Sequence, residues 1–284
     1  MEQPACFKKY HLNSAKSALV VEFVGTFLFV LTIPLSIISS GEVAPLSIGF
    51  MLMAMIFCFG YISGGHFNPA VTFAVVLCKP ADEPWNLGKR LAYWVAQIGG
   101  ACCAALYCFM IHGTDFPTPD TANDPIKIAR GFIAESVYTF VLASVVLHVA
   151  CSRQKDNNFY GFAIGMAVLS AALCVGGVSG GAFNPAVATG LITIRCLTGY
   201  CVPMYHLWMY WAAELLGALV AAIIYTAVSD AMNEADKAKR PDTDQVALSS
   251  SVKTPTKQGS AGISSATARA ASGTADANPL DADN

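Results

Sequence analysis

The sequence predicts an all-α membrane protein with six transmembrane helices and two re-entrant half-helices, arranged as an inverted repeat. Three observations lead there. The 284 residues are 55% hydrophobic and 13% charged, against about 25% charged in a soluble domain. The stretch Gly64-Gly65-His66-Phe67-Asn68-Pro69-Ala70-Val71 returns 116 residues later as Gly180-Gly181-Ala182-Phe183-Asn184-Pro185-Ala186-Val187. After each copy the apolar run is too short to cross a bilayer: it reaches only to about Leu77 before Lys79-Pro80, and to about Ile194 before Arg195. At ~1.5 Å per residue such a run covers roughly half of a ~30 Å hydrocarbon core.

Taken in order, the full spans fall at about Ala18–Ile38, Ala44–Tyr61, Leu91–Ile111, Gly131–Cys151, Tyr160–Val178 and His206–Val228. Each is an apolar run of spanning length. The half-spans begin at Pro69 and Pro185, where Asn is a favoured N-cap and Pro a favoured first helical residue. Glycines just ahead of each Asn-Pro imply irregular backbone leading straight into a helix.

Two further segments repeat. Val21-Glu22-Phe23-Val24-Gly25-Thr26-Phe27 matches Ala134-Glu135-Ser136-Val137-Tyr138-Thr139-Phe140, and Tyr93-Trp94-Val95-Ala96-Gln97 matches Tyr210-Trp211-Ala212-Ala213-Glu214. One unit, about 17–111, is therefore duplicated as about 131–228, and its odd number of spans turns the second copy upside down. Residues 1–16 form a cytosolic N-terminal segment without a cleavable signal pattern. Residues 229–284 are expected to be a disordered cytosolic tail, because Ala, Ser, Thr, Asp and Lys dominate it.

Outside that tail, eight Lys and Arg lie on the side of the termini and three, Lys127, Arg130 and Arg195, on the other. Both termini are thus expected in the cytosol. The near balance of 17 basic and 19 acidic residues excludes a nucleic-acid partner. The ten cysteines show no paired C-x-x-C spacing, so they are expected to be reduced thiols with no zinc site. No catalytic triad, metal-ligand cluster or phosphate loop stands out, so neither enzyme activity nor a cofactor is expected.

The doubled Asn-Pro-Ala within these flanks resembles the aquaporin, or major intrinsic protein, family over about Lys16 to Val228. The resemblance implies passive conduction of water or small neutral solutes by a homotetramer in which each protomer has its own pore. In that arrangement Asn68, Pro69, Ala70, Asn184, Pro185 and Ala186 bring two half-helix tips together at the midplane, each with about +0.5 charge from aligned peptides. Cations are repelled there and also lose hydration, whereas neutral water passes. The Asn68 and Asn184 amides offer donors to the lumen, and the carbonyls of Gly64, Gly65, His66, Gly180, Gly181 and Ala182 offer acceptors.

Glu22 and Glu135 are carboxylates inside spans, and so functional suspects. They fit a proton relay, as in an ion-coupled carrier, or acceptors for the unwound loops; the family's matching glutamates favour the second. Glu214, with Gln97 as its counterpart, is read the same way. His66 either gates the pore by titrating or fixes its loop through a hydrogen bond, the latter being commoner. Trp94, Trp208 and Trp211 are read as packing anchors, and Gly161-x-x-x-Gly165 as a close helix contact.

The chain also departs from the family pattern. The usual Arg after the second motif is Val187, and the family's spacing puts the other filter positions at Ile48, Ala172 and Gly181. That ring is uncharged and wide, which suits glycerol, urea or ammonia as well as water. Val187 resembles some vacuolar aquaporins, so the plasma membrane and an intracellular, vacuole-like membrane both remain open. Ala188 and Tyr210-Trp211 instead resemble the water-conducting branch. Rival readings are a channel mainly for glycerol, urea or ammonia, an ion-coupled carrier, and an adhesive membrane-junction protein.

Overall fold

The computed structural model describes residues 14–78 and 87–239, with side chains to 229. Eight α-helices and no strand occur among them: α1 Ser14–Ser40, α2 Ala44–Ser63, α3 Pro69–Leu77, α4 Leu87–His112, α5 Pro125–Val146, α6 Tyr160–Ser179, α7 Pro185–Leu197 and α8 Leu207–Lys239. One compact unit ends at Ala235 and holds all of this except the last residues of α8.

Five apolar helical stretches are long enough to cross a membrane, and the first, Ser14–Ser63, has 50 residues. At ~1.5 Å per residue that is far more than one span needs. It turns back on itself at Gly41–Val43, where Gly41 takes a left-handed φ of 53°, so it supplies both α1 and α2. Six spans result.

Close helix approach depends on small residues. A Cβ on Gly165 would lie 2.5 Å from the Gly49 carbonyl oxygen, and one on Gly49 would lie 2.8 Å from that of Gly165, so α2 and α6 meet backbone to backbone. Gly161, one turn earlier on α6, lies against the Phe57 ring. The repeat is visible here too: Gly100 of α4 sits on the Phe23 carbonyl of α1, and Gly217 of α8 sits on the Ser136 carbonyl of α5. Such contacts replace the hydrophobic drive that lipid removes between helices. Many large apolar side chains face outward, among them Tyr61, Val95, Ile133, Trp208 and Ile223, as a lipid-facing surface requires.

Helix starts follow capping chemistry. Asp124 caps α5 by accepting from Ile126 and Lys127 N–H, with Pro125 next, the same device as the two Asn-Pro pairs.

Two expectations change. Helix α8 runs on past Val228 to Lys239, because Ala, Met, Glu and Lys there are strong helix formers; the later part of the expected tail, like residues 1–13, lies outside the described residues. Cys196 and Cys201 form a disulfide, whereas reduced thiols had been expected. The loop after α7 returns those two cysteines to each other, a proximity that spacing rules for metal sites do not register.

Candidate functional site

Both Asn-Pro-Ala segments start helices in the interior. Asn68 accepts from Ala70 N–H at 2.8 Å and Val71 N–H at 3.4 Å, and Asn184 accepts from Ala186 N–H at 2.9 Å. Each side-chain oxygen thus satisfies orphan donors at a helix start. The nitrogens reach across: Asn68 Nδ2 donates to the Phe183 carbonyl at 2.8 Å, and Asn184 Nδ2 donates to the Phe67 carbonyl at 2.8 Å. This reciprocal pair ties the tips of α3 and α7 together. Each amide has two N–H donors, so one remains beyond the cross-link.

Phe67 and Phe183 were not singled out from the sequence. They have left-handed φ values of 46° and 48°, costly for an aromatic residue. That conformation turns each carbonyl toward the opposite asparagine and each N–H toward a buried glutamate. The signal was present as the Phe repeated before each Asn-Pro, but nothing local says where its backbone points.

Glu22 accepts from Ser63 Oγ at 2.6 Å, His66 N–H at 2.9 Å, Phe67 N–H at 2.7 Å and Gln97 Nε2 at 2.8 Å. Glu135 accepts from Ser179 Oγ at 2.6 Å, Ala182 N–H at 3.0 Å and Phe183 N–H at 2.7 Å. Tyr93 and Tyr210 close the same frame by donating to the Ser63 and Ser179 carbonyls. A carboxylate holding several N–H groups is the physical means of keeping unwound backbone in register inside a membrane.

A central cavity of about 20 Å3 is bordered by Gly65, His66, Phe67, Asn68, Ala182, Phe183 and Asn184 from the loops. Apolar residues such as Phe29, Leu52, Ile56 and Val168 complete its wall. That volume suits about one water molecule. His66 Nδ1 lies 3.1 Å from Thr72 Oγ1, and its ring packs on Tyr93 with centroids 5.5 Å apart.

Beyond it opens a cavity of about 710 Å3 bordered by Ile48, Ala172, Gly176, Gly177, Gly180, Gly181 and Ala182. Three of the four inferred filter residues therefore converge on it. Val187 is buried and is not among the residues bordering either cavity. Gly64 ends α2 as its left-handed cap. Of the tryptophans, Trp94 and Trp211 pack edge to face and Trp211 donates to Thr189 Oγ1, while Trp208 is exposed.

Among the described residues no basic side chain borders the wide cavity, whereas Glu42 does. Arg195, two turns beyond Val187, stacks 5.6 Å from the Phe116 ring and 5.4 Å from that of Tyr200. Tyr200 donates to Asp120, and that bond pushes the phenol pKa up.

Residues 8–225, and again 159–255, match the family described as Major intrinsic protein. The chain belongs to the major intrinsic protein family. It is 32% identical to glycerol uptake facilitator protein-like 6 of Lactiplantibacillus plantarum over 72% of this chain and 94% of that one. It is 35% identical to probable aquaporin-3 of Gibberella zeae over 71% and 73%, and 30% identical to the probable TIP-type alpha aquaporin of Phaseolus vulgaris over 76% and 86%. The fold matches the aquaglyceroporin of Plasmodium falciparum with a TM-score of 0.62 at 19% identity, over 75% of this chain and 96% of that one. Members of the major intrinsic protein family are membrane channels rather than enzymes, and this chain takes its place among them.

Proposed function

We propose that this major intrinsic protein is a passive water channel whose wide, uncharged outer filter also passes small neutral solutes. The observation that carries the reading is the reciprocal Asn68–Phe183 and Asn184–Phe67 hydrogen bonding beside a cavity of about one water. Two positive helix ends meet there, so a cation finds repulsion and too few oxygens, while a water accepts from the remaining amide N–H. Glu22 and Glu135 serve as loop supports, since their oxygens face backbone and hydroxyl donors. The filter is assigned to Ile48, Ala172, Gly181 and Val187.

A second reading, a facilitator mainly for glycerol, urea or ammonia, is favoured by the 710 Å3 cavity and by the open space around Gly176 and Gly177. Stopped-flow light scattering of proteoliposomes separates the readings. With sucrose outside, the channel speeds shrinkage linearly with the gradient; with glycerol or urea, reswelling reports solute entry. Saturable, gradient-driven uptake would instead indicate a carrier, and no acceleration would leave an adhesive role.

The family architecture supports a homotetramer with a pore in each protomer. The Cys196–Cys201 disulfide follows α7, whose C-terminal end points away from the side of the termini in the inverted topology. An oxidising compartment on that side fits termini in the cytosol.

A further inference from the structure

The two loop supports share their backbone bonds to Glu22 and Glu135 but differ in the side chains around them: His66, Thr72 and Gln97 in the first half stand where the second has Ala182, Ala188 and Glu214. In the first half Gln97 Nε2 donates to Glu22 at 2.8 Å and to Thr72 Oγ1 at 3.0 Å, so both amide hydrogens have acceptors. In the second half the matching residues are Glu214 in place of Gln97 and Ala188 in place of Thr72, each four residues after its asparagine in the latter pair. The amide and the acceptor of its second hydrogen have been lost together.

Glu214 is fully buried, at 0% exposure. Facing it are the Glu135 carboxyl of α5 and the Asn184 backbone amide, with Tyr210 one turn back on α8. The Tyr210 hydroxyl is already donated to the Ser179 carbonyl. No Lys, Arg or His is among these groups. Written as a carboxylate, Glu214 has the Asn184 N–H as its one nearby donor, and neither oxygen makes a well-formed hydrogen bond. Two anionic carboxylates side by side in a dry interior repel each other and also lack solvation.

We propose that Glu214 is a neutral carboxylic acid whose single proton is donated to Glu135, replacing the Gln97 amide as the last support of the second loop. A carboxylic acid has one O–H and needs one acceptor, so Glu214 is satisfied although neither the Thr72 hydroxyl nor the His66 ring that pairs with it has a counterpart in the second half. Glu214 is a positioning residue: it acts on Phe183 and Ala182 through Glu135. The second loop thereby depends on a proton at a position where the first uses an amide. Stripping that proton with alkali sets two carboxylates side by side in a dry interior, so raising the pH weakens this support.

Infrared spectroscopy of the full-length protein in proteoliposomes tests this. A protonated-carboxyl C=O stretch, resolved above the amide I band at neutral pH, is expected in the wild type and lost in Glu214→Gln. The double variant Glu214→Gln with Ala188→Thr rebuilds the first-half pattern. It is expected to match wild-type osmotic flux and heat stability at neutral pH while losing the decline of heat stability at alkaline pH. A carboxyl band unchanged in Glu214→Gln, or equal alkaline sensitivity in wild type and double variant, would overturn the proposal. Neither readout depends on which solute crosses, so a failure here leaves the channel reading standing.

Discussion

At the scale of single residues, Asn68 and Asn184 do two jobs with one amide each. The oxygen caps a half-helix and the nitrogen bonds the opposite loop. Asn68→Ala removes both at once, a cap of about 1 kcal/mol and a buried hydrogen bond of about 1 kcal/mol, and orphans the Phe183 carbonyl. The thermal midpoint in detergent, followed by fluorescence-detected gel filtration, is expected to fall by several degrees, and an unchanged midpoint would contradict the cross-link. The filter offers the complementary case. Val187→Arg places a cation at the fourth position of the proposed filter, and about tenfold lower glycerol and urea flux, equivalent to ~1.4 kcal/mol of barrier, is expected with water flux still measurable. Unaltered solute flux would remove Val187 from the filter.

At the scale of elements, both half-helices are held at their tips, and α7 at its far end as well. Their tips meet through the asparagines, and Glu22 and Glu135 hold the loops that lead into them. The outer end of α7 is tied to the following segment by Cys196–Cys201. So short a loop gains about 2 kcal/mol in the chain-entropy account. Cys201→Ser is expected to lower the thermal midpoint by a few degrees and to abolish its sensitivity to reductant while leaving osmotic flux intact, because the bond lies beyond both cavities' borders. A large loss of flux would mean that the outer end of α7 shapes the pore.

At the scale of the whole molecule, two inverted copies place two positive helix ends against one narrow point, and the proposed channel owes its charge exclusion to that arrangement. In the proposed channel Val187 leaves the filter without a fixed cation, so the central barrier carries the exclusion. Vesicles under a pH gradient, clamped with a potassium ionophore, are therefore expected to show no protein-dependent proton leak while water flux stays high. A leak that tracks protein content would mean that the paired tips do not set ion selectivity.

Much of this was legible in the chain itself. Asn68-Pro69 and Asn184-Pro185 locate both half-helix starts, since capping is local chemistry, and the Glu22/Glu135 and Gln97/Glu214 matches expose the duplication. The extent of α8 was less legible, because its helix formers outlast the apolar run that marks a span. What only the tertiary structure decided are the relations between residues far apart in sequence. These include the asparagine cross-link, the inward carbonyls of Phe67 and Phe183, the Cys196–Cys201 bond and the burial of Glu214 beside Glu135. Each depends on where a backbone group points after two repeats have packed, and that direction is set by the neighbour across the interface rather than by the residue's own sequence.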